Sequence, residues 1–289
     1  MRIFKGHEKS VYSIGVTPDN ARLISVGRDD TVRGWDLNTG VVQWQNRVST
    51  AQGHLAISPD GKLVATACHG IGPVFLWNTE NGNRVREFPG GRKGWVAFSP
   101  DGKELAGVFS HELNVWETAF GKSLTPLRRE LPLAGVHSCI NYSPDGLKFI
   151  GAGAFSVGEY RRGSFGFSRY FGGLHGTATH LTFSHDGRLL CGLAGKHLCV
   201  WDFHSGIVVW EELLENRHFQ SAAFSPDGRT LATAANTASV RFYDTTSWEM
   251  KAEFSWKIGP VLDVTFAPDG LRAAASGRSG KIVVWDVDE

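Results

Sequence analysis

The chain has 289 residues, 30 of them basic and 29 acidic, for a net charge of +1. That balance argues on bulk charge against a nucleic-acid or membrane-surface protein, and no apolar run approaches the ~18 residues that span a bilayer. Glycine, at 35 residues, stands well above the usual ~7% and points to many tight turns.

The length would suit two domains at ~150 residues each, but all-β folds of this size often form one. A chain this long can bury roughly three quarters of its unfolded surface. The opening Arg2-Ile3-Phe4, ahead of Gly6-His7, lacks the ~7 apolar residues of a signal peptide, so a cytoplasmic, intracellular protein is expected. Cys68, Cys139, Cys191 and Cys199 match no paired-ligand spacing. Cys191 and Cys199 could face each other across a hairpin, but two buried thiols are the expected reading.

One motif then recurs along the chain. Thr17-Pro18-Asp19-Asn20 is followed by Ser-Pro-Asp-Gly at Ser58, Ser99, Ser143 and Ser225, by Ser184-His185-Asp186-Gly187 and by Ala267-Pro268-Asp269-Gly270. The second positions are separated by 41, 41, 44, 41, 41 and 42 residues. Pro sets φ for the first central position of a type I turn, Asp can bond nearby backbone, and Gly takes the left-handed conformation that reverses the strands. Asn20 replaces Gly once, and Asn tolerates that conformation best among the alternatives. The flanks alternate, as in Val96-Ala97-Phe98 before a turn and Leu63-Val64-Ala65-Thr66 after one, so each motif is a predicted β-hairpin.

A second mark lies 16 to 18 residues further on in six units: Trp35-Asp36, Trp77-Asn78, Trp116-Glu117, Trp201-Asp202, Tyr243-Asp244 and Trp285-Asp286. Another turn and a last strand follow, as in Asn38-Thr39-Gly40 and Val41-Val42-Gln43-Trp44. Four strands per ~41 residues describe one propeller blade. The fourth unit departs most, reading FSVGEYRRGSFGFSRYFGG from Phe155 to Gly173, with Tyr160-Arg161 near the missing Trp-Asp. Its blade is expected to survive with irregular outer strands. Whether its aromatic residues and Arg161, Arg162 and Arg169 form a docking surface or reflect drift is left open. Gly15, Ala56, Ala97, Asn141, Thr182, Ala223 and Thr265, three residues before each second position, suit sheets converging on a narrow axis.

These turns, Trp-Asp pairs and period resemble the WD40-repeat family along the whole chain. The resemblance implies an all-β fold: a single seven-bladed WD40-type β-propeller over residues 1–289, the last blade closed by an N-terminal strand from residues 1–5. It implies a structural network of His7, Ser25, Asp29 and Trp35, complete only in the first unit. Ile71, Ser110, Gly195, Thr237 and Ser279 occupy the Asp position elsewhere, so six blades are expected to rely on apolar packing. It also implies a non-catalytic scaffold that binds a protein or peptide on its top face. The family's contact positions map to Ser10, Tyr12 and Arg28 in the first blade, Arg92 in the third, His218 and Gln220 in the sixth, and Pro260, Leu262 and Arg278 in the seventh. Arginine pairs bidentately with carboxylates, which favours an acidic partner.

The competing reading uses the channel mouth, where the family geometry would gather Ser13, His54, Trp95, Cys139, His180, Ser221 and Asp263. Such a ring could hold a small ligand or metal, but one carboxylate gives no acid/base pair. Seven histidines (His7, His69, His111, His137, His175, His197, His218) map to loops of one face without metal-motif spacing. His7 is expected to be structural and the others solvated. No cofactor, metal, enzymatic role or membrane partner is expected, nucleic acid is disfavoured, and the oligomeric state is left open.

Overall fold

The computed structural model describes residues 1–48, 52–92, 94–109, 112–125, 129–130, 139–152 and 156–287. Ser110, His111, His137 and Phe155, named above, lie outside the described residues.

The described strands form seven four-stranded antiparallel sheets. Blades 1 to 6 occupy residues 11–47, 52–92, 95–130, 139–171, 180–213 and 219–255, each in sequence order from the channel outward. Blade 7 takes three strands from 261–286, and Arg2–Lys5 pairs outside Lys281–Asp286, with Ile3 opposite Val283 and Phe4 opposite Ile282. The first strand thus joins the last blade and removes an open edge. Phe4 is buried against Trp35 of blade 1, ring centroids 5.7 Å apart.

The repeated motif makes each inner hairpin. In six copies the Ser or Thr hydroxyl donates to the Asp two residues on at 2.5–2.6 Å. The Asp then accepts the backbone N–H after the Gly, as in Lys62 N to Asp60 at 3.1 Å. The glycines have φ between 68° and 73° and Asn20 has 56°, the left-handed region where Gly and Asn cost least. The turns also interlock around the ring: a Cβ on Gly61 would sit 3.0 Å from Pro18 of the preceding blade, and one on Gly187 would sit 3.5 Å from Pro144.

The core fills the spaces between neighbouring sheets. Trp35, Trp201 and Tyr160 are its largest fully buried side chains, and burying an aromatic of this size supplies roughly 1.5–3 kcal/mol. Six of the seven small residues near the axis line the channel: Ala56, Ala97, Asn141, Thr182, Ala223 and Thr265.

Blade 4 is more regular than its sequence suggests. Val157–Arg161 and Phe167–Phe171 pair with a bulge between Glu159 and Tyr160, the place where blades 1, 2 and 5 bulge before Trp35, Trp77 and Trp201. Tyr160 therefore fills the Trp position. Phe165 supplies the following left-handed turn residue at φ 55°. The shortest described outer strand belongs to blade 3, Arg129–Glu130.

All four cysteines are buried thiols outside any disulfide. Cys191 faces Val200 and Cys199 faces Gly192 across the hairpin, so their side chains leave opposite faces of the sheet. Burial pushes both thiols above their ordinary range, Cys199 to about 12.

Candidate top-face site around the channel mouth

The inner strands of blades 1, 2, 6 and 7 each carry a bulge where they begin, at Tyr12, Gly53, Gln220 and Leu262. Blades 3, 4 and 5 begin at Trp95, Cys139 and His180 without one. A bulge adds one residue and re-aims a side chain. All four bulged residues line the central cavity of about 360 Å³. Tyr12 stacks on His69 of blade 2 at 5.0 Å, and Gln220 Nε2 donates to the Phe219 carbonyl at 3.3 Å.

Arg28 and Arg278 sit on the rim, one blade apart and both exposed. Arg28 N donates to the Ser10 carbonyl at 2.8 Å and Arg278 N to the Pro260 carbonyl at 3.0 Å. Ser10 Oγ donates to the Arg278 carbonyl at 3.3 Å, joining the two loops. Neither guanidinium has an ion-pair partner among the described residues. His218 is exposed, its N–H donating to Asn236 Oδ1 at 3.0 Å. Arg92 is not with them: it ends the outer strand of blade 2, opposite Ile71, rather than standing in blade 3.

The channel wall departs from the spacing-based ring in two members, Cys139 and Ser221. Cys139 is buried among Ile150, Val157, Phe171 and Leu181 between blades 4 and 5, and Ile140 and Asn141 line the cavity instead. His54 stacks on Trp95 at 3.6 Å, and Trp95 meets His180 edge-on at 5.5 Å. These rings form a bar from blade 2 through blade 3 to blade 5. Burial depresses both imidazoles, so they are neutral at pH 7. Asp263 has both oxygens engaged, Oδ1 by Ser221 Oγ of blade 6 at 2.6 Å and Oδ2 by Ile14 N of blade 1 at 2.9 Å. With Val264 N also donating to Oδ1 at 3.0 Å, it clasps three blades. Among the described residues no three of His, Cys, Asp or Glu converge in metal-holding geometry.

The network in blade 1 is a directed chain. Trp35 Nε1–H donates to Ser25 Oγ at 2.7 Å, the Ser25 hydroxyl to His7 Nε2 at 2.7 Å, and His7 Nδ1–H to Asp29 at 2.9 Å. The Asp29 carboxylate can only accept, which places the imidazole proton on Nδ1. Thr31 Oγ1 and Arg33 Nη2 also reach Asp29, at 2.8 and 3.4 Å. The sequence reading missed these two: Asp29 stands in the turn before the strand Thr31–Asp36, and Asp30 is left-handed at φ 60°, so strand alternation does not point from them to Asp29. Burial lowers the His7 pKa; the hydrogen bonds to Asp29 outweigh the opposing burial cost and hold its carboxyl well below the usual range. His197, expected to be solvated, is buried against His175, 5.2 Å ring to ring.

The other blades are not held by apolar packing alone. Arg162 of blade 4 pairs with Asp101 at 3.0 Å and Glu104 at 2.9 Å of blade 3. Arg169 pairs with buried Glu159 at 3.0 Å and donates to the carbonyls of His204, at 2.8 Å, and Phe203 in blade 5. Two of the three arginines considered for docking therefore brace the ring.

A closed ring of seven four-stranded sheets with Trp-Asp positions on the third strands defines a β-propeller of the repeat type. The family profile described as WD domain, G-beta repeat matches residues 1–36, 216–244 and 251–286. These three segments, about a third of the chain, are similar to WD40 repeats, and the described residues form a seven-bladed propeller that includes them. It is 36% identical over 114 residues to eukaryotic translation initiation factor 3 subunit I of Aspergillus terreus, covering 37% of this chain and 32% of the relative. Over 141 residues it is 26% identical to the U3 snoRNP-associated protein-like EMB2271 of Arabidopsis thaliana, 40% of this chain and 29% of that one. Over 120 residues it is 29% identical to Protein groucho of Drosophila melanogaster, 39% and 16% respectively. The matches span about a third or less of these relatives. Among the described residues no helix is long and apolar enough to cross a membrane.

Proposed function

We propose that this protein is a non-catalytic interaction scaffold that binds a protein or peptide partner on the top face, in the cytoplasm. The observation that carries the reading is the asymmetric channel mouth. Bulges aim Tyr12, Gln220 and Leu262 into one cavity, and Arg28 and Arg278 stand beside it without counter-ions among the described residues. Tyr and Arg are enriched at binding hot spots, and a free guanidinium suits a carboxylate. The partner segment is therefore acidic. His218 belongs to the same face; Arg92 would contribute only to a partner reaching the edge of blade 2. The relative named as a subunit of an initiation factor is, by that name, part of an assembly, which fits a scaffold.

The double variant Arg28→Glu/Arg278→Glu tests this. Affinity capture from lysate with mass spectrometry should lose wild-type partners while the melting temperature holds. Identical captures would discard the patch. The competing small-ligand or metal reading is favoured only by the His54–Trp95–His180 bar. Stoichiometric metal in the purified protein, lost on His54→Ala, would put that reading first.

A further inference from the structure

The outer strands show a recurring device. Opposite the residue that precedes each blade's Trp or Tyr, the outer strand presents Trp44, Arg86, Arg169, Trp210, Ala252 and, in blade 7, Arg2. The first four cross to the turn between the third and outer strands of the next blade. Trp44 Nε1 donates to the Thr79 carbonyl at 2.9 Å, Arg86 to the carbonyls of Phe120 and Ala119 at 2.8 and 3.0 Å, and Arg169 to those of His204 and Phe203. Trp210 stacks on Trp248 at 4.9 Å. In blade 7 the turn of blade 1 is met from two residues on: the Phe4 ring, opposite Ile282, lies where a Cβ on Gly40 would be. The blade 3 position lies outside the described residues.

Ala252 makes no such crossing, for a topological reason. The outer strand of blade 7 comes from the other end of the chain, so no hairpin turn joins it to Lys281–Asp286 and no turn is there to receive a latch. The consequence appears two residues on. Phe88 and Phe171 cover Trp116 and Trp201 and are 2% exposed. Phe254 holds the same register in blade 6, but Trp256 takes the place over Trp285 at 4.5 Å, and Phe254 is 43% exposed. Ile3, on the face of its strand opposite to Phe4, is 39% exposed on the other side of the same seam.

The upper end of this apolar strip is basic. Lys5 and Lys281 are register partners on adjacent strands, and Lys281 Nζ reaches the Lys257 carbonyl at 3.3 Å. Like charges directly opposite one another destabilise a sheet, and among the described residues no acidic side chain pairs with any of the three.

We propose that the flank between blades 6 and 7 is a second docking surface, for an amphipathic acidic segment of a partner protein. Its apolar side chains cover Phe254, Trp256 and Ile3, and its carboxylates meet Lys5, Lys257 and Lys281. A second copy of this chain is a poor occupant, because a two-fold interface sets a patch against itself and would oppose lysine to lysine.

The test uses the whole chain and two synthetic amphipathic peptides of about 18 residues, long enough to hold a helix, with the same leucine face and either glutamate or lysine opposite. Calorimetry should show binding of the glutamate peptide alone. Phe254→Ser should weaken it about tenfold, as loss of an aromatic anchor does, with unchanged near-ultraviolet dichroism because the side chain is exposed. Lys5→Glu/Lys281→Glu should abolish that binding and admit the lysine peptide. Arg28→Glu/Arg278→Glu should leave it unaltered, which separates this surface from the top face. No binding of the glutamate peptide, equal binding of both peptides, or insensitivity to Phe254→Ser overturns the proposal. So does dimerisation of the free protein that Phe254→Ser removes, which would assign the strip to a second copy.

Discussion

Blade 1 and blade 4 solve the same mechanical problem in opposite ways. In blade 1 the third strand is tied to its own top loop by the chain Trp35–Ser25–His7–Asp29, closed by Thr31 and Arg33. In blade 4 Tyr160 stands where the Trp would be, stacked on Phe149 at 5.1 Å, and its hydroxyl has no hydrogen-bond partner among the described residues. The polar bonds run outward instead, from Arg162 to blade 3 and from Arg169 to blade 5. An internal network fixes a blade's own geometry, whereas external braces fix its neighbours' positions. A propeller needs the second in every blade and the first only where packing leaves polar groups to satisfy.

The sharpest way to break this contrast is Asp29→Ala. It strands His7, Thr31, Arg33 and the Glu8 N–H, all of which bond to Asp29. Removing one member of a buried charged cluster costs about 3–5 kcal/mol, read as a fall in the urea midpoint. A loss under about 1 kcal/mol would mean that blade 1 does not depend on its network, since that is the worth of an ordinary surface pair.

Arg169→Ala should cost less, roughly 1–3 kcal/mol, because it leaves buried Glu159 with Lys148 at 3.0 Å as its remaining ion pair. Its signature is spatial. Hydrogen exchange should quicken along Phe167–Phe171 and in the turn after Asp202, and not in blade 1. Exchange that quickens uniformly would show that the brace has no local role.

The two blades should also differ in pH response. The folded pKa of His7 is depressed, mainly by burial, so the unfolded chain takes up the proton first. Stability from this group is full above the unfolded value of ~6.5 and falls as pH drops below it, at no more than about 1.4 kcal/mol per pH unit. His54 and His180 shift in the same direction, so the measurement is the difference between variants. His7→Gln should flatten part of the decline between pH 7 and 5, while Arg169→Ala should leave its slope unchanged. Equal slopes in His7→Gln and wild type would remove His7 as a contributor.

What was legible in the sequence was local. The turn motif carries its own chemistry within four residues, so seven hairpins, their order and the Trp positions could be read directly, and the pairing of Ile3 with Val283 followed from counting strands. The site was harder. Bulges at Tyr12 and Gln220 add one residue without any compositional mark, and Cys139 turns into the core although Trp95 and His180, at the same position of unbulged strands, line the cavity. Arg92 was given to the wrong blade because an outer strand and the loop after it share one run of residues. The latch residues Trp44, Arg86 and Arg169 have partners roughly one blade away in sequence, set by how the blades abut and not by local pattern. Even the serine of the motif was overlooked, although its hydroxyl bonds the Asp in every copy that has one.

The smallest expected effect concerns that motif. His185 takes the Pro position in blade 5, and a Cβ on Gly228 of blade 6 would meet nothing within 4 Å, whereas Gly61, Gly102, Gly146, Gly187 and Gly270 each lie over the preceding blade's proline. The ring of turns is interrupted there. His185 N makes no backbone hydrogen bond among those described, and proline occupies the same turn position in the other six copies, so the backbone already suits it. His185→Pro should therefore stabilise the fold by about 0.4–1 kcal/mol, mostly by restricting the unfolded chain. Pairing it with Gly228→Ala separates the two contributions. If the gain comes from the unfolded state alone, Gly228→Ala, strained at φ 71°, costs the same with either residue at 185. If the restored proline also closes the ring, the alanine methyl gains an ordinary contact with it, as a Cβ on Gly187 would at 3.5 Å from Pro144, and the cost falls. A destabilising His185→Pro would show that the blade 5 turn differs from its six relatives.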